Sequence, residues 1–324
     1  MRVDKGLMRV DIQPLDEFKF FNLPRAALIN PHQHLSTLIN LINPHQQLFQ
    51  VMKNILLCTF LSLAFLSGCE EKPIVIPDLQ AGARKVLVEE LTGVRCQNCP
   101  DGTRDLAALQ QTYGADNLIV VAIHAAIGFS APYTSNPPNL YDFRIEGASD
   151  LADYIGFAEG YPTAAVNRQL PPGNTSLFLP RSAWPGVIAD EFSQDYGLDL
   201  FMNTNYEEST REFKLDLNIA PSISLPGEHR LNVMITQDSI VDVQLDGSTR
   251  NPNYIHRHVL RKIVSKPDGD VLTEALTAGA LISRSYTIPI DPSWDAKHCS
   301  VVVFVSRGGN PDKEVLQVAE KHIE

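Results

Sequence analysis

Tryptophan and cysteine are scarce in this sequence, with 2 Trp and 5 Cys among 324 residues. So few thiols exclude a small scaffold held together by disulfides. Basic charge is short as well: Lys and Arg number 27 against 38 Asp and Glu, a net charge of −11. That balance argues against nucleic acid as the main partner, because phosphate binding draws its affinity from clustered cations. The 19 glycines follow no three-residue period, which excludes a collagen-like rod. No apolar run reaches the roughly 20 residues that a membrane-spanning helix needs. What is left, 44% hydrophobic and 20% charged, is the composition of a globular chain of about two domains.

The longest apolar stretch lies inside the chain. Met52-Lys53-Asn54 precedes eleven mostly apolar residues, Ile55 to Phe65, and then Leu66-Ser67-Gly68-Cys69. A basic start, a short apolar centre and a small-residue exit are the pattern of a secretory signal. The ending is similar to a bacterial lipobox, which implies cleavage before Cys69 and a lipid on its sulfur. The competing reading is a buried helix starting at Ile55. Residues 1–51 hold two copies of Leu-Ile-Asn-Pro-His-Gln, at 28–33 and 41–46, too few to stack into a solenoid. His32, His34 and His45 have no companion Cys or spaced carboxylate, so no metal site is expected there. The expected organisation is therefore upstream sequence at 1–51, a signal peptide at 52–68 and a tether at 69–84. An acylated Cys69 carries two or more chains, enough for stable membrane anchoring.

After the tether, Lys85 to Leu91 reads as a strand, Asp101 to Tyr113 as a helix closed by Gly114, and Leu118 to His124 as a strand buried on both faces. Strand, helix and strand within about forty residues make a βαβ unit. Leu140 to Phe157 reads as an interrupted helix, Gly160 to Arg168 as a strand, and Ser182 to Phe192 as a final helix. From Gly197 onward only strands are expected: Leu198–Tyr206, Glu212–Ala220, Arg230–Gln237, His256–Val264, Leu281–Ile290, Ser300–Ser306 and Val315–His322. The expected fold is thus an α/β domain over 85–196 followed by an all-β sandwich over 197–324.

Cys96-Gln97-Asn98-Cys99-Pro100 falls between the first strand and the first helix. A C-x-x-C in that position is the context of redox chemistry. The two sulfurs can meet across the first turn, and unpaired N–H groups at the helix start favour a thiolate on Cys96. Arg95 adds positive charge beside it. Cys96 is expected as the exposed nucleophile and Cys99 as the resolving thiol. A structural disulfide competes with this reading. A zinc site is disfavoured, because no second C-x-x-C or spaced His pair exists.

Val88-Glu89-Glu90-Leu91-Thr92-Gly93, the C-x-x-C and Gly160-Tyr161-Pro162-Thr163 together resemble the thioredoxin fold. More narrowly, the chain from Lys85 to the C-terminus resembles a lipoprotein family named for a 28-kilodalton outer-membrane protein, with a thioredoxin-like domain followed by an immunoglobulin-like β-sandwich. The resemblance implies that Pro162 is a cis-proline facing the cysteines, that Tyr161 before it binds substrate backbone, and that Glu90 is a buried acid relaying protons to the resolving thiol. The alternative for Glu90 is that it faces solvent while Glu89 caps the strand edge. One departure stands out: the residue before the first cysteine is commonly aromatic in the fold and here is Arg95, which alters the substrate-facing rim.

His124, at a strand end, reads as a hydrogen-bonded histidine. His256 and His258 read as an exposed β surface, Cys299 as a buried thiol, and Asp142, Glu146, Asp150 and Asp153 as a solvated helix face. No metal or cofactor is expected. Two functions follow. The first is a lipid-anchored thiol–disulfide oxidoreductase of the cell envelope whose partners are thiol or disulfide proteins. The second is an outer-membrane binding or adhesion lipoprotein with an inert disulfide.

Overall fold

A computed structural model describes residues 82–324, apart from 126, 127, 157, 310 and 311. The expected signal peptide, the lipid-bearing Cys69 and most of the tether lie outside the described residues. The first half consists of β1 (Val86–Leu91), α1 (Cys99–Tyr113), β2 (Leu118–Ile123), α2 (Ala148–Ile155), β3 (Thr163–Val166), β4 (Leu179–Pro180) and α3 (Trp184–Phe192). The second half contributes β5 (Leu198–Glu207), β6 (Glu212–Pro221), β7 (His229–Gln237), β8 (Ile240–Asp246), β9 (Thr249–His256), β10 (Val259–Ile263), β11 (Asp270–Leu272), β12 (Ile282–Pro289), β13 (Cys299–Arg307) and β14 (Val315–His322). Among the described residues no α-helix follows α3, and no helix is long and apolar enough to cross a membrane.

The fold is β-rich, with one mixed sheet of nine strands in the order β14-β13-β7-β10-β2-β1-β3-β4 and β11 added to β7. β1 runs parallel to β2 and antiparallel to β3. This sheet crosses residue 197, where the sequence changes from mixed to all-β, because β10 joins β2 at Val259 and Ala122. The change of pattern therefore marks no break in the sheet. A second sheet, β12-β6-β5, packs over β7 and β13. Its inward face is written in the alternation of β6, where Phe213, Leu215, Leu217 and Ile219 are buried between exposed Glu212, Lys214 and Asp216.

The same period of two decides what β1 offers to each side. Val86 and Val88 join Leu106 of α1 and Trp184 and Ile188 of α3 in one apolar cluster. Leu87 and Leu91 join Ile119, Val121 and Ile123 in another, shared with Met234, Leu260, Val302 and Phe304 of the second half. Glu90 accordingly faces α1, and Glu89 faces the other side. Both carboxylates are buried, so neither faces solvent nor caps an edge.

Two expected elements differ. Among its described residues, the interrupted helix of 140–157 is helical only over Ala148–Ile155. Gly147, at φ 79°, starts it and Gly156 ends it, while Asp142 is held outside the helix by Arg144. Asp142 and Glu146 are thus exposed loop residues, not part of a helix face. The sequence also passed over the β8–β9 hairpin, which is paired only with itself among the described strands.

Candidate functional site

β1 ends at Leu91, and residues 92–98 turn the chain into α1. Gly93 is needed in that turn, because a Cβ there would lie 2.4 Å from the Phe129 carbonyl oxygen. Cys96 and Cys99 form a disulfide at the entrance to α1, and Pro100 takes a first-turn position where a missing N–H costs nothing. Cys99 is buried, as expected of the inner thiol. Cys96 is buried too, with 3% of its surface exposed, which corrects the expectation of an exposed nucleophile.

One turn into α1, beside Gly102, lies a carboxyl group. Glu90 is 2% exposed, and burial pushes its pKa up to about 8, so it is protonated at neutral pH. Arg181 opposes this shift and Asp105 adds to it. Glu90 Oε1 has no hydrogen-bond partner among the described residues. Pro162 follows a cis peptide bond from Tyr161, and Gly102 of α1 is where proline and carboxyl converge. A Cβ on Gly102 would lie 2.7 Å from Glu90 Oε1 and 3.1 Å from the Pro162 ring. Gly102→Ala therefore sets about 1 kcal/mol of helix propensity against an overpacking cost of about 1–3 kcal/mol. A net loss of about 1 kcal/mol is expected, read as a lower urea midpoint; a gain would show that the carboxyl moves aside freely.

Tyr161 stacks obliquely against Phe129, with ring centroids 5.6 Å apart. Phe129 is half exposed, so the pair presents aromatic surface beside the cis-proline. Arg95 does not turn toward the sulfurs. Its guanidinium donates to the Pro132 carbonyl and lies 4.8 Å from the centre of the Tyr133 ring.

The remaining wall comes from the second half of the chain, which sequence reasoning did not bring to the site. Gln244 of β8 donates from Nε2 to the carbonyls of Gly93 (3.2 Å) and Cys96 (3.1 Å). Tyr254 of β9 meets Thr103 of α1 and packs edge-on to His256 at 4.9 Å. A space of only about 10 Å³ remains between Cys99, Thr103, His124, Gln244, Tyr254 and His256. His256 is 4% exposed and His258 is largely enclosed, against the expectation of an exposed surface. Burial lowers the pKa of His124 to about 3 and of His256 to about 4, so both rings are neutral here. The Asp246-Gly247-Ser248-Thr249 segment was the available signal, since a two-residue Gly-Ser loop between apolar-containing runs is a hairpin signature.

Cys299 is a buried free thiol that donates to the Asp295 carbonyl at 3.2 Å. Among the described residues no group of three or more His, Cys, Asp or Glu side chains is placed to hold a metal.

Comparison with known structures finds HBP35 of Porphyromonas gingivalis at a TM-score of 0.60 and 14% identity, covering 74% of this chain and 76% of that one. A domain of the outer membrane lipoprotein Omp28 from the same organism aligns at 18% identity over 40% of this chain and 91% of that one, at a TM-score of 0.29. No curated protein sequence matches. The family model for outer membrane protein Omp28 matches residues 148–324, whereas the resemblance read from the sequence starts at Lys85. The matched region holds Pro162 and the β8–β9 hairpin but begins after the dithiol, so the family says nothing of Cys96 and Cys99. Since that match spans more than half of its length, the chain belongs to the Omp28 outer membrane protein family, and its place is the outer membrane of the bacterial cell envelope.

Proposed function

We propose that this protein is a lipid-anchored, thioredoxin-like protein that exchanges thiols and disulfides through Cys96 and Cys99. In this reading residues 85–196 are the thioredoxin-like unit, and 197–324 are a sandwich fused to it through β2 and β10. The observation that carries the reading is a disulfide at the N-terminus of α1, one turn before Gly102, where a protonated buried carboxyl and Pro162 meet. A thiolate leaving at Cys99 needs a proton, and Glu90 is the buried acid on that side of β1. The Phe129–Tyr161 surface would take the partner's backbone. Partners are thiol or disulfide proteins of the cell envelope, and Cys69 would carry the anchor.

A second reading has specific support: both sulfurs are buried, and the family match starts beyond them. In that case the disulfide is inert and the protein is a binding or adhesion lipoprotein. The reduction potential of the Cys96–Cys99 pair separates the two. A value between about −270 and −120 mV is expected for exchange, and one below about −300 mV for a structural bond. In a producing bacterium, Cys99→Ala should accumulate mixed disulfides and Cys96→Ala none. Absence of trapped species in Cys99→Ala, with a low potential, would leave the inert reading.

A further inference from the structure

Residues 93–97 are held by a short set of hydrogen bonds from the β8–β9 hairpin, which is anchored elsewhere by Asp242, accepting from the Leu140 and Tyr141 N–H groups, and by Arg250, donating to the Ser135 and Asn136 carbonyls. Besides the two donated by Gln244, the Leu245 N–H donates to the Val94 carbonyl at 2.8 Å and the Gly247 N–H to the Gln97 carbonyl at 2.9 Å. Of the five carbonyls from residue 93 to 97, only that of Arg95 receives nothing from the hairpin. Asp246 adds an ion pair to Arg104 of α1. At both stems of the hairpin, a residue other than glycine takes a left-handed backbone: Ser239 at φ 59° and His258 at φ 52°. Such conformations are strained and cluster where the chain switches. The stems are tied to each other, because the His258 N–H donates to Asp238 at 3.1 Å.

Thiol–disulfide exchange requires a thiolate to approach Cys96 Sγ in line with the S–S bond. Cys96 is buried, at 3% exposure, which hinders that approach. We propose that the β8–β9 hairpin is a lid on the dithiol, hinged at Ser239 and His258, and that Gln244 is its latch. Cys96 reacts only when the hairpin lifts from residues 93–97, so Gln244 is a positioning residue for exchange. The proposal rests on the exchange reading above. Once the lid is open, an external thiolate bonds to Cys96 Sγ, and the S–S electron pair leaves on Cys99 Sγ, which takes a proton. A second thiolate attacks the external sulfur of the mixed disulfide and releases Cys96 as a thiolate. The protein disulfide is reduced to two thiols, and two external thiols become one disulfide.

The rate at which dithiothreitol reduces the full chain, followed by quenched alkylation and mass spectrometry, tests this. If reduction passes through a lid-open state, its rate is scaled by the open population. The folded wild type should react at least about a hundredfold more slowly than the same chain in urea. Gln244→Ala should react about tenfold faster than wild type, as loss of a buried hydrogen bond implies. Gly247→Ala forces a side chain into φ 59° in an open turn, and should react several-fold faster while leaving the core untouched. Circular dichroism reports whether each variant is folded. If Gln244→Ala does not fold, Gly247→Ala decides alone. Equal rates in the folded variant and wild type, or a wild type as fast as the unfolded chain, would overturn the lid. The equilibrium potential separates this from the exchange reading. A structural-range potential with faster variants sinks exchange and keeps the lid; a catalytic-range potential with unchanged rates does the reverse.

Discussion

Glu89→Ala is expected to lower stability by about 3–5 kcal/mol, the range for removing one partner of a buried ion pair. Its carboxylate accepts from Arg168 Nε and Nη2, both at 2.7 Å, and the two side chains are 1% and 0% exposed. The Arg168 guanidinium also lies 4.9 Å from the Phe304 ring centre and 5.6 Å from that of Tyr154. Removing the carboxylate leaves this buried guanidinium without its ion-pair partner. Replacing both partners by apolar residues, Glu89→Leu with Arg168→Met, should be less damaging than Glu89→Ala alone, because no orphan charge remains. Urea denaturation of the wild type, Glu89→Ala and the double variant checks this; a double variant no more stable than Glu89→Ala would show that the pair itself stabilises the fold. Reduction of the dithiol should be unaffected in folded variants, since Glu89 lies on the face of β1 away from α1.

Glu90 should give the larger pH effect. Its pKa rises from 4.5 in the unfolded chain to about 8 in the folded one, chiefly through burial. Below 4.5 both states hold the proton and nothing differs. Between the two values the unfolded chain is ionised while the folded chain keeps its proton, so stability falls as pH rises. Each unit crossed costs about 1.4 kcal/mol, and the loss is complete above about 8. Glu90→Gln carries no such titration, so the stability of wild type minus variant should decline steadily from pH 5 to 8. Glu320, pushed up to about 7 by burial, shifts stability the same way. The lowered His124 and His256 act oppositely at lower pH. All three are present in both proteins and cancel in the difference. A difference flat with pH would mean that Glu90 reaches water in the folded chain.

Much of this was legible in the sequence because burial and periodicity agree there. β6 and β13 bury apolar residues, β1 opens on Val86-Leu87-Val88 and β2 is an apolar run, so their strands could be read directly. The C-x-x-C was placed by its position between β1 and α1. The hairpin was not legible, for a physical reason. β8 buries Asp242 and Gln244 alongside Ile240 and Val243 and exposes Val241, an inversion of the usual pattern. Those polar groups are inside because they satisfy the backbone of residues 93–97 and 140–141. A scan for apolar alternation passes over a strand whose work is polar. Nor does any residue near Cys96 in the chain signal its burial, so from sequence alone it reads as exposed.

The shared apolar cluster beneath β1 and β2 has a consequence for how the chain is made. Synthesis releases the N-terminal half first, with Leu87, Ile119, Val121 and Leu151 in place, but Met234, Leu260, Val302, Phe304 and Val318 complete that cluster only later. Until they arrive, the early half has an unfinished core and an unpaired side to β2, features that expose a nascent chain to aggregation. The two cysteines also emerge before the hairpin that bonds to the backbone around them. During that interval the proposed lid is not yet in place, and the pair meets surrounding thiols and oxidants without it.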